Sequence, residues 1–285
     1  MTRKSLFYFA LVGLLWGIPY LLMKVAVEDF PPAAVVAGRT LIGASILIPI
    51  AIYRKKFGGA VLGFKYVAFY ALMEMIGPWI LITTAEQKIN SGLAGLLVST
   101  VPIFATIITS LRGDHSVWQF KRILGIVVGF IGLILVVGIE SLSGNSDLLS
   151  IAMVIVASMG YAYAVIMVTS NLPLVDGIAI NGLAMAITTV FWAPVAIAQW
   201  PSSISMNSAL SLIALGIFST ALAFILFFKV MAEIGPARSS LVTYLNTAIA
   251  VLLGVIILRE PLTVGIVVGL PLVLVGSYLA SKKTA

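Results

Sequence analysis

The chain has 285 residues, no cysteine, a single histidine, and charge on only 9% of its positions. Without cysteine there are no disulfides, thiol nucleophiles or thiolate metal sites. The one histidine, His115, falls in a loop beside Asp114. No Ser-His-Asp set can be built around it, although other catalytic chemistries stay open. No metal-ligand cluster is visible and no cofactor is expected. The chain also lacks a phosphate-binding G-x-x-x-x-G-K-[ST] run, which argues against drive by ATP. A soluble domain carries about 25% charged residues, and no segment here is both long and polar enough to form one. The formal charge of +7 therefore has no basic domain through which to bind nucleic acid.

Apolar side chains fill this space. They make up 61% of the chain, and its mean hydropathy is +1.16. A spanning helix with a short loop takes roughly 25–30 residues, so the length suggests about ten. The runs fall at 6–27, 32–53, 64–84, 90–111, 117–138, 148–169, 176–199, 208–230, 237–258 and 262–281. Turn residues and charge separate them, as at Glu28 to Pro32, Arg54 to Gly59, Arg112 to His115, Ser141 to Asp147, Ala232 to Pro236 and Arg259 to Pro261. Arg3 and Lys4 before the first run resemble the start of a signal peptide. The run lacks a convincing small-x-small cleavage site and is long enough to span, so we read a retained helix. With the N-terminus inside, Lys88 and Arg259 lie outside, Lys24 and Arg39 lie within spans, and every other lysine and arginine lies inside. By the positive-inside rule this places both termini in the cytoplasm and makes the helix count even.

The last third of the chain repeats its middle at a constant offset. Gly95, Ser99, Pro102 and Thr106 map onto Ser239, Thr243, Asn246 and Ala250, and Gly125 and Gly132 map onto Gly269 and Gly276. Two halves of five helices each must insert in opposite orientations, an arrangement found in transporters. The expectation is an all-α integral membrane protein with ten transmembrane helices in two inverted five-helix repeats, residues 1–140 and 147–285.

Several motifs give this pattern a family. Leu15-Trp16-Gly17, Arg39 after Pro31-Pro32, and Gly95 to Pro102 fall in the first half. Gly216 to Ala221, Ile234 to Ala237, Leu253-Gly254 and Arg259-Glu260-Pro261-Leu262-Thr263 fall in the second. In their order and spacing they resemble the ten-helix EamA-type branch of the drug/metabolite transporter superfamily. Asn246, where the second half of that family usually has proline, departs from the pattern, and Arg112-Gly113-Asp114 matches its acidic turn only loosely. The resemblance implies alternating access in a multi-pass plasma-membrane protein, a bacterial inner membrane being the natural setting. It also implies export or exchange of small metabolites such as amino acids.

A few polar side chains fall at membrane depth, where each is costly unless it faces protein, water or a partner. Glu74 lies midway along the third span. It reads either as a proton-coupling group or as a paired structural glutamate. Coupling would make Glu74→Gln alter the pH dependence of transport, and an unchanged profile in a reconstituted assay would remove that role. Lys24 reads as snorkelling to the interface. Arg39 reads as a tie between helices, with a fork for a substrate carboxylate as the alternative. The Gly95/Ser99/Pro102/Thr106 and Ser239/Thr243/Asn246/Ala250 stripes have helical spacing. They read as close packing on one side and a polar path on the other, with Pro102 breaking its helix. Trp16, Tyr20, Trp79 and Tyr161 lie deeper than an interfacial belt and could bound a pocket for a flat or amphipathic solute. The expected contacts with substrate or coupling ion are thus Trp16, Tyr20, Glu74, Trp79, Ser99, Tyr161, Thr243 and Asn246. The expected partners are a small solute, protons and the lipid bilayer. An intramembrane enzyme or lipid-handling protein would show several clustered acids or histidines. A channel would show a more continuous polar lining.

Overall fold

The fold is taken from a computed structural model that describes residues 3–113, 119–142, 147–234, 239 and 241–281, with side chains described for all of these except 137–142 and 281. His115, most of the Ser141 to Asp147 separator and the Gly235-Pro236-Ala237 motif lie outside the described residues. The described chain is helical, and no strand occurs in it.

Among the described residues, seven helices are long and apolar enough to cross a membrane. They are α1 (Arg3–Ala26), α2 (Pro32–Tyr53), α3 (Phe64–Ala85), α4 (Ser91–Leu111), α6 (Leu148–Asn171), α7 (Gly177–Ala198) and α8 (Met206–Ile234). Between and after them lie α5 (Phe120–Leu142), α9 (Val242–Ile256) and α10 (Val264–Ser281), and one short helix, Phe57–Leu62, precedes α3. Large apolar side chains such as Val190, Ile197, Ile134 and Ile256 are exposed on the outside. In a bilayer that surface meets acyl chains, and the helices satisfy their own backbone groups. The protein is a multi-pass membrane protein.

Local chemistry sets where helices start. Pro32 opens α2 at a position where a missing N–H costs nothing. Asp147 accepts from Ser150 N (3.0 Å) and Ser150 Oγ (2.7 Å) at the head of α6. Asp176 accepts from Ile178 N (2.9 Å) and Ala179 N (3.2 Å) at the head of α7, and Ser205 from Ser208 N (3.2 Å) at the head of α8. Ser205 N donates in turn to Asp29 (2.9 Å), joining the α1–α2 turn to α8.

Hydrogen bonds from Ser205 hold the Asp29 carboxyl below its usual value, and those from Ser150 do the same for Asp147. A depressed folded-state pKa stabilises above the unfolded value and is lost as pH falls through the folded one. We therefore expect hydrogen-exchange protection at the heads of α6 and α8, taken relative to intrinsic exchange at each pH, to fall on acidification below the ordinary carboxylate range. Asn at positions 29 and 147 should remove that response. An unchanged acid response in the double variant would discard this account.

The main packing pairs are α1 with α9 and α8, α6 with α4 and α3, α2 with α7 and α8, α7 with α3, α4 with α9, and α5 with α10. The last pair is built on glycine. A Cβ on Gly276 would overlap the Gly129 backbone, and one on Gly125 would lie 2.7 Å from Gly276 O. Helices α5 and α10 thus meet in backbone-to-backbone contact at these glycines.

Two helices contain π segments, Leu72–Ile76 in α3 and Leu215–Leu222 in α8. Such segments displace side chains from the α-helical register and are often found at functional sites. Helix α4 is interrupted at Ser99-Thr100 and restarts at Val101-Pro102. Pro102 supplies no donor for the preceding turn.

Candidate functional site

A cavity of about 930 Å³ lies mainly among α1, α2, α3, α4, α6, α7, α8 and α9. That volume falls within the range of small-molecule sites. Its lining is mostly apolar and aromatic, with few polar groups.

Trp16, Tyr20, Glu74, Trp79, Tyr161, Thr243 and Asn246 all line this cavity, as do Arg39 and Pro102. Ser99 does not line it. Its hydroxyl donates to Leu96 O at 2.6 Å, and its carbonyl accepts from Ser277 Oγ at 2.7 Å. Ser99 therefore joins the α4 break to α10. The two small-residue stripes divide in the same way. A Cβ on Gly95 would lie 2.8 Å from Ala250 Cβ, so that part is tight packing. Pro102, Thr106, Ser239, Thr243 and Asn246 face the cavity.

Arg39 is 6% exposed. Its guanidinium lies 3.8 Å from the centroid of the Trp79 ring. Nε and Nη2 share one acceptor, Thr220 Oγ1, at 3.3 and 3.2 Å, and Nη1 points at Met23 Sδ at 3.6 Å. A guanidinium carries five N–H donors, and no carboxylate lies within salt-bridge distance of it among the described residues. Arg39 links α2 to Thr220 of α8. It does so through neutral groups, leaving a cation at the cavity wall without an anion.

The π segments supply two unsatisfied groups. Glu74 Oε2 and Ser219 Oγ are buried, have no hydrogen-bond partner, and belong to residues that line the cavity. A buried polar atom without a partner is rare and costly. Here two of them, Glu74 Oε2 and Ser219 Oγ, belong to residues of one cavity, beside the anion-free Arg39 fork. Nearby, Tyr70 donates to Asn181 Oδ1 at 3.1 Å, and Asn181 Nδ2 donates to Gly177 O at 2.9 Å.

Sequence reasoning missed Ser219, Tyr70 and Asn181. The only available signal for Ser219 was its place in the Gly216 to Ala221 motif, because a π register cannot be read from periodicity. The expectation for Lys24 changes. Instead of snorkelling, Nζ donates to Glu86 O at 2.6 Å and Ile89 O at 2.9 Å. Carbonyls at a helix C-terminus have no intrahelical partner and attract a cation.

The cavity lining extends toward one end of the bundle only. It includes Thr109, Thr169, Leu172 and Met231, at or near the C-terminal ends of α4, α6 and α8. The N-terminus of α1 lies at that end, where Ser5 Oγ donates to Glu233 at 2.6 Å. The opposite end carries cross-links. Glu260 accepts from Ser91 N and Ser91 Oγ (both 2.8 Å) and from Gly92 N (3.3 Å), capping α4. The Lys24 and Asp29 contacts lie at the same end.

A profile of the EamA-like transporter family matches residues 3–138 and again 148–282. The chain belongs to this family. Curated relatives agree in kind. An uncharacterized transporter of Bacillus subtilis, YoaV, is 27% identical over 94% of this chain and 93% of its own. The uncharacterized inner membrane transporter YedA of Escherichia coli is 25% identical over 95% and 90%. A crystal structure aligns with a TM-score of 0.66 at 16% identity, covering 98% of both chains, and shares the fold. The protein is accordingly a transporter, and its substrate is a small molecule.

Proposed function

We propose that this transporter is a secondary carrier that exports or exchanges small organic metabolites of the amino-acid class by alternating access. Its substrate site is the central cavity. The observation that carries the reading is the buried, anion-free Arg39 fork stacked on Trp79 in an aromatic chamber. A carboxylate would complete the fork in bidentate geometry. Trp16, Tyr20 and Tyr161 would hold an apolar or aromatic body. Glu74 would accept a substrate ammonium or carry a coupling proton.

Ten helices in two inverted repeats of residues 1–140 and 147–285 fit the packing. Advancing each helix by five in chain order turns the α1–α9 contact into α6–α4, α1–α8 into α6–α3, and α2–α8 into α7–α3, all of which occur. The α2–α7, α4–α9 and α5–α10 contacts map onto themselves, and the two π segments occupy corresponding helices. With both termini cytoplasmic, in a plasma membrane such as the bacterial inner membrane, the cavity faces inward and the cross-linked end faces outward.

The test is counterflow in proteoliposomes with labelled aromatic and aliphatic amino acids and amphipathic amines, with and without a proton gradient. A carrier gives saturable uptake that unlabelled substrate on the far side accelerates. Non-saturable flux would mean a channel, and product without translocation would mean an enzyme. Either result would reject the reading.

A further inference from the structure

Glu86 lies just beyond α3, outside the cavity, and is completely buried. Neither carboxylate oxygen has a hydrogen-bond partner. Its backbone carbonyl is held by Lys24 Nζ, so the lysine beside it is already engaged elsewhere. The charged groups that act on the carboxylate are Lys24 from α1, Arg39 from α2, and Glu260 from the segment before α10, and Tyr20 of α1 is also coupled to it. From the head of α6 the nearby acid is Asp147, which is bonded to Ser150 and lies 3.7 Å from Lys88. The Glu86 carboxylate thus interacts with groups of two assemblies, Arg39 and Tyr20 of the cavity wall and the Lys24 and Glu260 closure at the bundle end opposite the α1 N-terminus.

We propose that Glu86 is a proton-binding site that latches this closure: protonated, it stays buried and the end stays shut; deprotonated, it must be hydrated and the end opens. The proposal rests on the alternating-access reading. A carboxylate ion without donors in an apolar interior is far costlier than its neutral acid. Glu260, a second acid acting on it, adds to that cost. Opening would admit water and restore an ordinary carboxylate. The closed state therefore binds the proton more tightly. By linkage, acid on the closure side favours closure and alkali favours opening. Glu260 contributes a separate element by capping α4.

The absence of cysteine makes the test direct. Ile82 lines the cavity and is buried, so an impermeant thiol reagent on the closure side reaches Ile82→Cys only after that end opens. Reconstituted full-length protein bearing Ile82→Cys is labelled from that side across pH 6–9. Rates are normalised to Ser203→Cys, an exposed loop position, which removes the intrinsic pH dependence of the thiolate. We expect the normalised rate to rise on the order of tenfold with pH. Glu86→Gln should flatten the profile at its slow, acid-like level. Glu86→Asp, which keeps a titratable group, should retain a shifted profile. Glu260→Gln should raise the rate at every pH and preserve the slope. A slope that survives in Glu86→Gln, or that disappears in Glu74→Gln instead, would overturn the assignment. Counterflow assayed on the same variants separates the two readings. Saturable exchange with an unaltered pH slope rejects the latch alone, whereas loss of saturable exchange in the parent rejects the carrier.

Discussion

Replacing Arg39 by Gln should cut counterflow of a carboxylate-bearing substrate by about 10–100-fold while lowering the stability of the protein far less. Hydrogen bonds to charged groups contribute about 1.5–3 kcal/mol, and each 1.4 kcal/mol is roughly tenfold in affinity. Losing the bidentate fork to a substrate carboxylate therefore falls in that range. Stability should change less because, among the described residues, no carboxylate lies within salt-bridge distance of this cation. Its partners are Thr220 Oγ1 at 3.2 and 3.3 Å, Met23 Sδ at 3.6 Å and the Trp79 ring. Removing one member of a buried ion pair is destabilising because it orphans the other, and here there is no such pair to orphan. Arg39→Lys keeps the charge but loses the planar fork and its stacking, so it should fall between parent and Gln. Kinetics of counterflow together with thermal unfolding of the purified variants decide the matter. If Arg39 is only a tie between α2 and α8, Gln will lower the unfolding temperature and leave the substrate KM unchanged.

Gly276→Ala should lower the unfolding temperature by several degrees, although alanine is the better helix former. The added Cβ overlaps the Gly129 backbone, which cannot rotate away as a side chain would. The α5–α10 pair must separate, and overpacking of this kind costs about 1–3 kcal/mol. In lipid the loss is not recovered by a hydrophobic drive between helices, which associate there mainly through close packing. Gly58→Ala is the matched control. Nothing lies within 4 Å of its Cβ position, so the same chemical change should be neutral or slightly stabilising by helix propensity. Scanning fluorimetry of the two variants measures the difference. Equal unfolding temperatures would mean that α5 and α10 do not meet through their glycines.

Composition alone determined the solvent of this protein. With 61% apolar residues and 9% charged, the chain can bury its surface only in lipid, and lipid restricts a lipid-facing backbone to helices or closed barrels. Helix positions followed from turn chemistry, because separators such as Glu28 to Pro32, Arg54 to Gly59 and Arg259 to Pro261 act within a few residues of themselves. The family was likewise legible, since its motifs are short and ordered along the chain. Seven of the aromatic, acidic and polar residues chosen as contacts line one cavity because helical spacing placed them on inward faces.

What the sequence could not determine depends on groups distant along the chain. Ser99 has a small polar side chain at the right spacing, yet Ser277 reaches its carbonyl from α10 and takes it into packing. Lys24 looked interfacial until the free carbonyls of Glu86 and Ile89 came within reach. The π segments shift register by tertiary accommodation, so Ser219 could not be read as a lining residue. Glu86 looked like an ordinary loop acid beside Gln87 and Lys88. Only the tertiary structure buried it where groups of the cavity wall and the cross-linked end act on it, because burial is a property of what packs against a residue and not of its neighbours in sequence.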